Sequence, residues 1–521
     1  MELLAAGLSE GLSAAWQAVW EPIRQTPWQF WWADTPEGWE RIRHFWMDRV
    51  FNDRFRVTYF LPLVFVLMLL RGRALKAGII ATGLAFVGYN FGVLYPVFWL
   101  LLCLVFYRLT EQFAIEIKRE DVLKIGPPLA AIGVVIGANI VAAGLKVLPL
   151  PFEWNAWLSA YAPWVLPLGA RPMPWEPHWV DIGQHRLPTM VLWDAHLIGT
   201  AYFTIRMLHY FSELKRETIP REQRSLLNFM AYLCYAPTLM QGPIERYPRF
   251  LDEIETCHAR RGWVNVPPAL WRFALGLGKV LVSTWYFKYI LNEVLNVGGF
   301  YGDRPGYYRD PELFTSYWAL YGGVFLNIFW LYLEFSGYCD MAAGMSRLLG
   351  YRLVENFQMP WVATSLRDFW RRWHISLSAI LRDYIYIPLG GGRRRTLFNL
   401  CVTFGLCGIW HIPIPKLALW GVLMGFMVWV NQAWVQYVKQ LDEHGQGRIA
   451  AIRRAWLRLW PLPQLTAWLV TMNAFCLSLL LFFGGWGGVR VFWELIRRPL
   501  NALLLSAGVA LDLPPLPTFS G

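Results

Sequence analysis

LTAWLVTMNAFCLSLLLFF, residues 465–483, runs for nineteen positions without an Asp, Glu, Lys or Arg. A helix that crosses a bilayer needs about 20 mostly apolar residues. In lipid the backbone finds no water, so only helices and closed barrels can span it. The run lacks the alternation of a barrel strand, so it reads as a membrane helix. Working outward, the pattern recurs at TYFLPLVFVLMLL (58–70), LYPVFWLLLCLVF (94–106), FALGLGKVLVSTWYF (273–287), SYWALYGGVFLNIFWLYL (316–333) and LALWGVLMGFMVWV (417–430). The 521-residue chain is 56% hydrophobic and only 16% charged, against about 25% charged in a soluble domain. The expected class is an all-α polytopic membrane protein with roughly ten to twelve membrane segments, some short enough to be re-entrant.

The net charge of +12 would suggest nucleic acid in a soluble protein. Here the basic residues sit in short loops between apolar runs, which fits membrane orientation and no nucleic-acid partner. RGRALK (71–76), IKREDVLK (117–124), ELKRETIPREQR (213–224) and GGRRR (391–395) are expected to face the cytoplasm, and the acid-richer loop 151–189 to face outward. Seven scattered cysteines have no zinc or CxxC spacing, so they read as small buried apolar residues, and no metal site is expected.

Along the chain, residues 1–56 mix tryptophan with arginine and acids and read as an interfacial amphipathic segment. Residues 57–189 form a first group of membrane helices and an external loop that can carry a short interfacial helix. Residues 190–430 hold the unusual polar groups, and 431–521 supply a polar connector, a last membrane hairpin and a tail.

Ionisable residues at membrane depth are costly and so are functional candidates. Three clusters stand out. YAPTLMQGPIERYPRF (235–250) breaks any helix at Pro237, Gly242 and Pro243 and places Gln241 beside the break. LEFSGYCDMAAGMSRLLGYRLVENF (333–357) carries Glu334, Asp340 and Asn356, with Arg347 placed to pair the two acids and Gly337 and Gly344 permitting close packing. The third is TSLRDFWRRWHISLS (364–378). Ser365 offers an N-cap with Asp368 three residues on. Trp370, Trp373, His374, Leu377 and Leu381 then fall on one face of a horizontal or re-entrant helix, with Arg371 on another. Pro388 and Gly390–Gly392 stop that helix, and LFNLCVTFGLCGIWH (397–411) enters the membrane and ends on His411 before Pro413 and Pro415. The two histidines are 411 − 374 = 37 residues apart. Imidazole is the side chain able to take and return a proton near neutral pH. A buried histidine is as readily a structural residue, and both readings stand at this point. No HExxH, GxSxG, P-loop or GxGxxG motif competes.

FSGYCDMAAGMSRLLGYRLVENF, SLRDFWRRWHISLSAILRDYIYIPLGGGRRR, CGIWH and TLMQGPIERYPRF together resemble the core of the membrane-bound O-acyltransferase (MBOAT) family, most closely its bacterial branch that modifies cell-surface polymers. The resemblance covers about residues 190–430. It implies a helical bundle around a central funnel or tunnel and transfer of an acyl group to a hydroxyl. It maps the family's invariant histidine to His411 and a supporting histidine to His374. Ile412 stands where the family usually has glycine, a departure that bears on the acceptor more than on the chemistry. The implied donor is an acyl-coenzyme A or an acyl-carrier phosphopantetheine thioester, with no permanently bound cofactor. The implied acceptor is an exported polysaccharide in a bacterial inner membrane setting, reached directly or through a periplasmic transferase partner. Arg371, Arg372, Trp373, Ser376, Trp410, Asn356, Glu334, Asp340 and Gln241 are the further candidates for donor or substrate contact, and Arg393–Arg395 for donor phosphates. Ser376 and Ser378 are candidates for a covalent acyl-enzyme. Transfer of D-alanyl or lipid acyl groups, or transport without chemistry, are the competing readings.

Overall fold

The computed structural model describes residues 60–91, 94–116, 178–182, 185–189, 198–239, 241–283, 317–411, 415–445, 447–506 and 513–516. The tryptophan-rich segment 1–56, most of the loop 151–189 and Ile412 lie outside the described residues. Three helices come first: α1 (Phe60–Met68), α2 (Gly72–Phe91) and α3 (Leu94–Glu116). The end of the loop 151–189 is described as a strand pair, and the rest of that loop, where a short interfacial helix is expected, lies outside the described residues. β1 (His178–Ile182) runs antiparallel to β2 (His185–Thr189), with Asp181 opposite Arg186. Then follow α4 (Ile198–Lys215), α5 (Leu226–Leu233), α6 (Tyr247–Thr256) and α7 (Val266–Leu281). The second half holds α8 (Tyr317–Leu348), α9 (Leu366–Arg372), α10 (Ile375–Leu381), a π-helical turn (Arg382–Tyr386), α11 (Thr396–His411), α12 (Pro415–His444), α13 (Arg448–Leu457) and α14 (Leu462–Ser506).

Between apolar helices in lipid there is little hydrophobic drive, so close packing and polar contacts hold them. Two packed pairs show this. In the first, α7 lies along α8, and a Cβ added at Gly337 would stand 2.7 Å from the Gly276 carbonyl oxygen. The expected role of Gly337 and Gly344 in close packing is therefore realised. In the second, α11 lies along α12; a Cβ at Gly408 would stand 1.9 Å from the Leu417 carbonyl oxygen, and one at Gly421 2.0 Å from that of Phe404.

Polar ties join the N-terminal helices to the centre. Lys76 of α2 donates to Asn228 (2.7 Å) and pairs with Glu255 (3.1 Å). Arg261 donates to the Met68 and Leu70 carbonyls, which occupies acceptors that the end of α1 leaves open.

Among the described residues two helices are long and apolar enough to cross a membrane, Lys416–His444 and Leu462–Phe482. They contain two of the runs first read as spans. The expected hairpin in 464–521 does not form: α14 is one helix of 45 residues. Nothing in its interior before Pro499 breaks the hydrogen-bond ladder. The following tail folds back on it, with Arg497 and Asn501 donating to the Leu513 carbonyl. Part of the expected polar connector is likewise helical, since α12 continues to His444 and α13 begins at Arg448.

Candidate active site

The site is assembled where α4, the broken segment 235–246, α8, α10 and α11 meet. Ser365 caps α9 as its spacing suggests: its Oγ accepts from the Asp368 backbone N–H at 3.1 Å. The single helical face expected from Trp370 to Leu381 is not formed, however. Helix α9 ends at Arg372, Trp373 is extended, and His374 adopts φ 45°, ψ 52° before α10 begins. A non-glycine residue in this left-handed region costs on the order of 1 kcal/mol. Two acceptors of Asn356 hold the break. Its backbone carbonyl accepts from Ile375 N–H (3.0 Å) and its Oδ1 from Ser376 N–H (3.1 Å). A residue on a different segment thus caps α10.

His374 is 3% exposed. Its Nδ1 lies 3.3 Å from Asn356 Oδ1 and its Nε2 3.5 Å from the Tyr202 hydroxyl. The Phe335 ring stands edge-on to it, centroids 4.8 Å apart. Trp410, the penultimate residue of α11, lies between the two histidines, 6.1 Å from His374 and 4.7 Å from His411 by ring centroids.

His411 is half-buried in a ring of aromatics formed by Trp410, Trp420 of α12 and Phe482 of α14. Among the described residues, none hydrogen-bonds its ring nitrogens. Its position follows from the α11–α12 pair: it ends α11 where the chain turns back, and the glycine contacts set how closely the two helices meet.

The other candidates divide. Asn356 and Trp410 are part of the site. Ser376 is buried beside it, but its hydroxyl accepts from Ile244 N–H (2.9 Å) and donates to Asn356 Oδ1 (2.9 Å). Trp373 is packed in an aromatic core with Phe357, Phe369 and Phe475 at 5.1–5.6 Å. Arg371 is exposed, and Arg372 pairs with Asp368 at 2.8 Å. Gln241 is half-buried next to Gly242, whose φ of 125° makes the turn. Glu334 is half-buried on α8. Arg347 does not pair the acids as expected: it is exposed, and Asp340 instead binds Arg272 (2.8 Å) and Lys279 (2.6 Å) of α7. Those partners lie some sixty residues earlier in the chain, so local spacing could not reveal them.

Sequence reasoning missed the polar face of α4. Tyr202, Arg206, His209 and Glu213 fall at i, i+4, i+7 and i+11, a buried polar stripe. The spacing was available as a signal; the surrounding apolar run hid it. Arg206 donates to the carbonyls of Tyr232 (3.2 Å), Leu233 (3.4 Å) and Thr238. It therefore places a cation on the open C-terminal acceptors of α5 and pins the broken segment. His209 Nε2 accepts from Tyr247 N–H (2.8 Å), its Nδ1 meets the Tyr384 hydroxyl (2.7 Å), and Tyr384 donates to Glu213 (2.5 Å). This chain ties α4 to α6 and to the π-helical turn. Such turns often accompany functional sites.

A model of the MBOAT, membrane-bound O-acyltransferase family matches residues 154–471, which include Tyr202, Asn356, His374, Trp410 and His411. The chain belongs to the MBOAT family. Among individual proteins, this MBOAT chain is 32% identical over 239 residues to the probable alginate O-acetylase AlgI of Pseudomonas fluorescens, covering 45% of each protein. It is 31% identical over 331 residues to the peptidoglycan O-acetyltransferase of Helicobacter pylori, covering 56% of each. It is 26% identical over 235 residues to the teichoic acid D-alanyltransferase of Bacillus subtilis, covering 43% of this chain and 56% of that one. The chain thus matches about half the length of these relatives.

Proposed function

We propose that the protein is a membrane-embedded O-acyltransferase in which His411 acts as general base. One observation carries this: of the two clustered histidines, His374 is buried with both nitrogens facing protein partners, whereas His411 is only half-buried and has no hydrogen-bond partner among the described residues. An alcohol is a weak nucleophile at neutral pH, and a positioned base contributes typically about 10²–10⁴-fold. The imidazole of His411 takes the acceptor hydroxyl proton as the oxygen attacks the thioester carbonyl. The tetrahedral intermediate then expels the thiolate, which receives that proton back. The acyl group is acetyl in this reading, in line with the names of the alginate and peptidoglycan relatives. The acceptor is a hydroxyl of an exported cell-surface polysaccharide, reached directly or through a periplasmic partner. The donor is a cytoplasmic acyl-coenzyme A or acyl-carrier thioester, and the setting is a multi-pass inner-membrane protein.

Substituting His411→Ala should lower acylation of the surface polymer by about 10²-fold or more at normal protein level, read by mass analysis of the polymer. A His411→Ala protein that still moves an acyl group or solute across the membrane, with wild type performing no transfer, would favour transport without chemistry. D-alanylated polymer in place of acetylated polymer would favour the other relative's reaction.

A further inference from the structure

The hydrogen bonds around His374 are directional, and their directions can be worked out. Ser376 N–H is a donor only, so the atom of Asn356 facing it at 3.1 Å is the carboxamide oxygen. Ser376 Oγ accepts from Ile244 N–H, so its own proton points to that same oxygen. Asn356 Oδ1 is therefore an acceptor for every neighbour, and the His374 Nδ1 at 3.3 Å must bring a proton to it. In a neutral imidazole Nε2 is then the acceptor. The group facing Nε2 is the Tyr202 hydroxyl. With Nε2 an acceptor, the proton between the two is that of the tyrosine, pointing at Nε2. The path thus runs from Tyr202 through His374, Asn356 and Ser376 to Ile244. Its far end rests on the broken segment.

We propose that Tyr202 and Asn356 are the positioning pair of His374, holding its ring with the proton on Nδ1 and with Nε2 as an acceptor toward Tyr202. Ile244 of the broken segment anchors this path, its N–H donating to Ser376 Oγ at 2.9 Å. The strained φ of His374 agrees with this assignment, since such conformations persist where surrounding contacts over-determine them. The proposal deepens the O-acyltransferase reading and rests on it for its effect on activity; the proton position does not depend on that reading.

The test combines nitrogen-15 NMR of histidine-labelled protein in lipid with acyl-transfer kinetics. The His374 signals are those missing from a His374→Gln variant. In wild type they should show the proton on Nδ1. Tyr202→Phe should move the Nε2 signal and lower kcat by about tenfold or more with KM nearly unchanged, since small misplacements of catalytic groups cost up to about 10²-fold. Asn356→Leu should lose the single proton position and a similar factor in kcat, whereas Asn356→Asp, which keeps an acceptor, should restore the Nδ1 proton and most of the rate. A proton on Nε2 in wild type overturns the proposal. So does a Tyr202→Phe protein with unchanged Nε2 signal and rate, or an equal loss in the Leu and Asp variants. Transfer that survives His411→Ala would instead sink the reading of function while leaving the NMR result to decide the positioning.

Discussion

A serine can form an acyl-enzyme only if its oxygen is free to attack and a base can reach its proton. Ser376 has neither freedom: its lone pair receives Ile244 N–H and its proton goes to Asn356. Ser376→Ala should therefore leave acyl transfer within about tenfold of wild type. It should lower stability by about 1–3 kcal/mol because a buried N–H loses its acceptor. A thermal scan in detergent beside the transfer assay checks both; complete loss of transfer with an unchanged melting temperature would return Ser376 to the chemistry. Asp340 makes the opposite case. It is the buried partner of two cations, and Asp340→Asn leaves Arg272 and Lys279 side by side with weakened compensation. Breaking a buried pair costs about 3–5 kcal/mol, so that variant should be poorly folded, with any lost activity following protein level. At this scale the residue types were readable from the sequence and their partners were not. Asn356 was a candidate, but its hold on His374 spans 18 residues. His374 carries no glycine or proline signal to mark the break beneath it, although histidine is among the non-glycine residues enriched at positive φ.

The α11–α12 pair converts small residues into the placement of His411. A Cβ at Gly408 meets the Leu417 backbone at 1.9 Å, so even alanine must push the helices apart. A Cβ at Gly405 meets the Val422 side chain at 3.3 Å, which can give way, and the Ala418 carbonyl oxygen at 3.9 Å, an ordinary contact. Gly408→Ala should cost about 1–3 kcal/mol, the usual cost of overpacking, and reduce transfer beyond its effect on protein level. Gly405→Ala should be near neutral in both. Equal effects from the two substitutions, measured by melting temperature and specific activity, would remove helix approach as the cause. The amphipathic period and apolar runs made most helices readable. They failed at the α9–α10 break held by Asn356, and in α14, whose ladder runs on to Pro499 in place of the expected hairpin.

Across the molecule, two basic turns come to lie together. Arg216 at the end of α4 donates to the Asp383 carbonyl (2.8 Å), and Arg246 pairs with the Asp383 carboxylate. The loop 216–224 and the π-helical turn therefore share one side. From the neighbouring arginine turn, α11 has 16 residues, a rise of about 24 Å, set against a hydrocarbon core of about 30 Å. Arg393–Arg395 and His411 are thus at opposite ends of that helix, so in the proposed reaction these arginines could meet only a remote part of the donor and not its thioester. If the basic turns face the cytoplasm, single cysteines at Glu217 and Arg394, both exposed, should resist a membrane-impermeant thiol reagent in intact cells and react once the membrane is opened. The background is low: six of the seven native cysteines are buried and Cys401 is half-buried, so Cys401→Ser is a suitable parent. Labelling of both sites in intact cells would invert the orientation and place the arginine turn on the acceptor's side. Labelling of one alone would contradict the Asp383 contacts that put the two turns together.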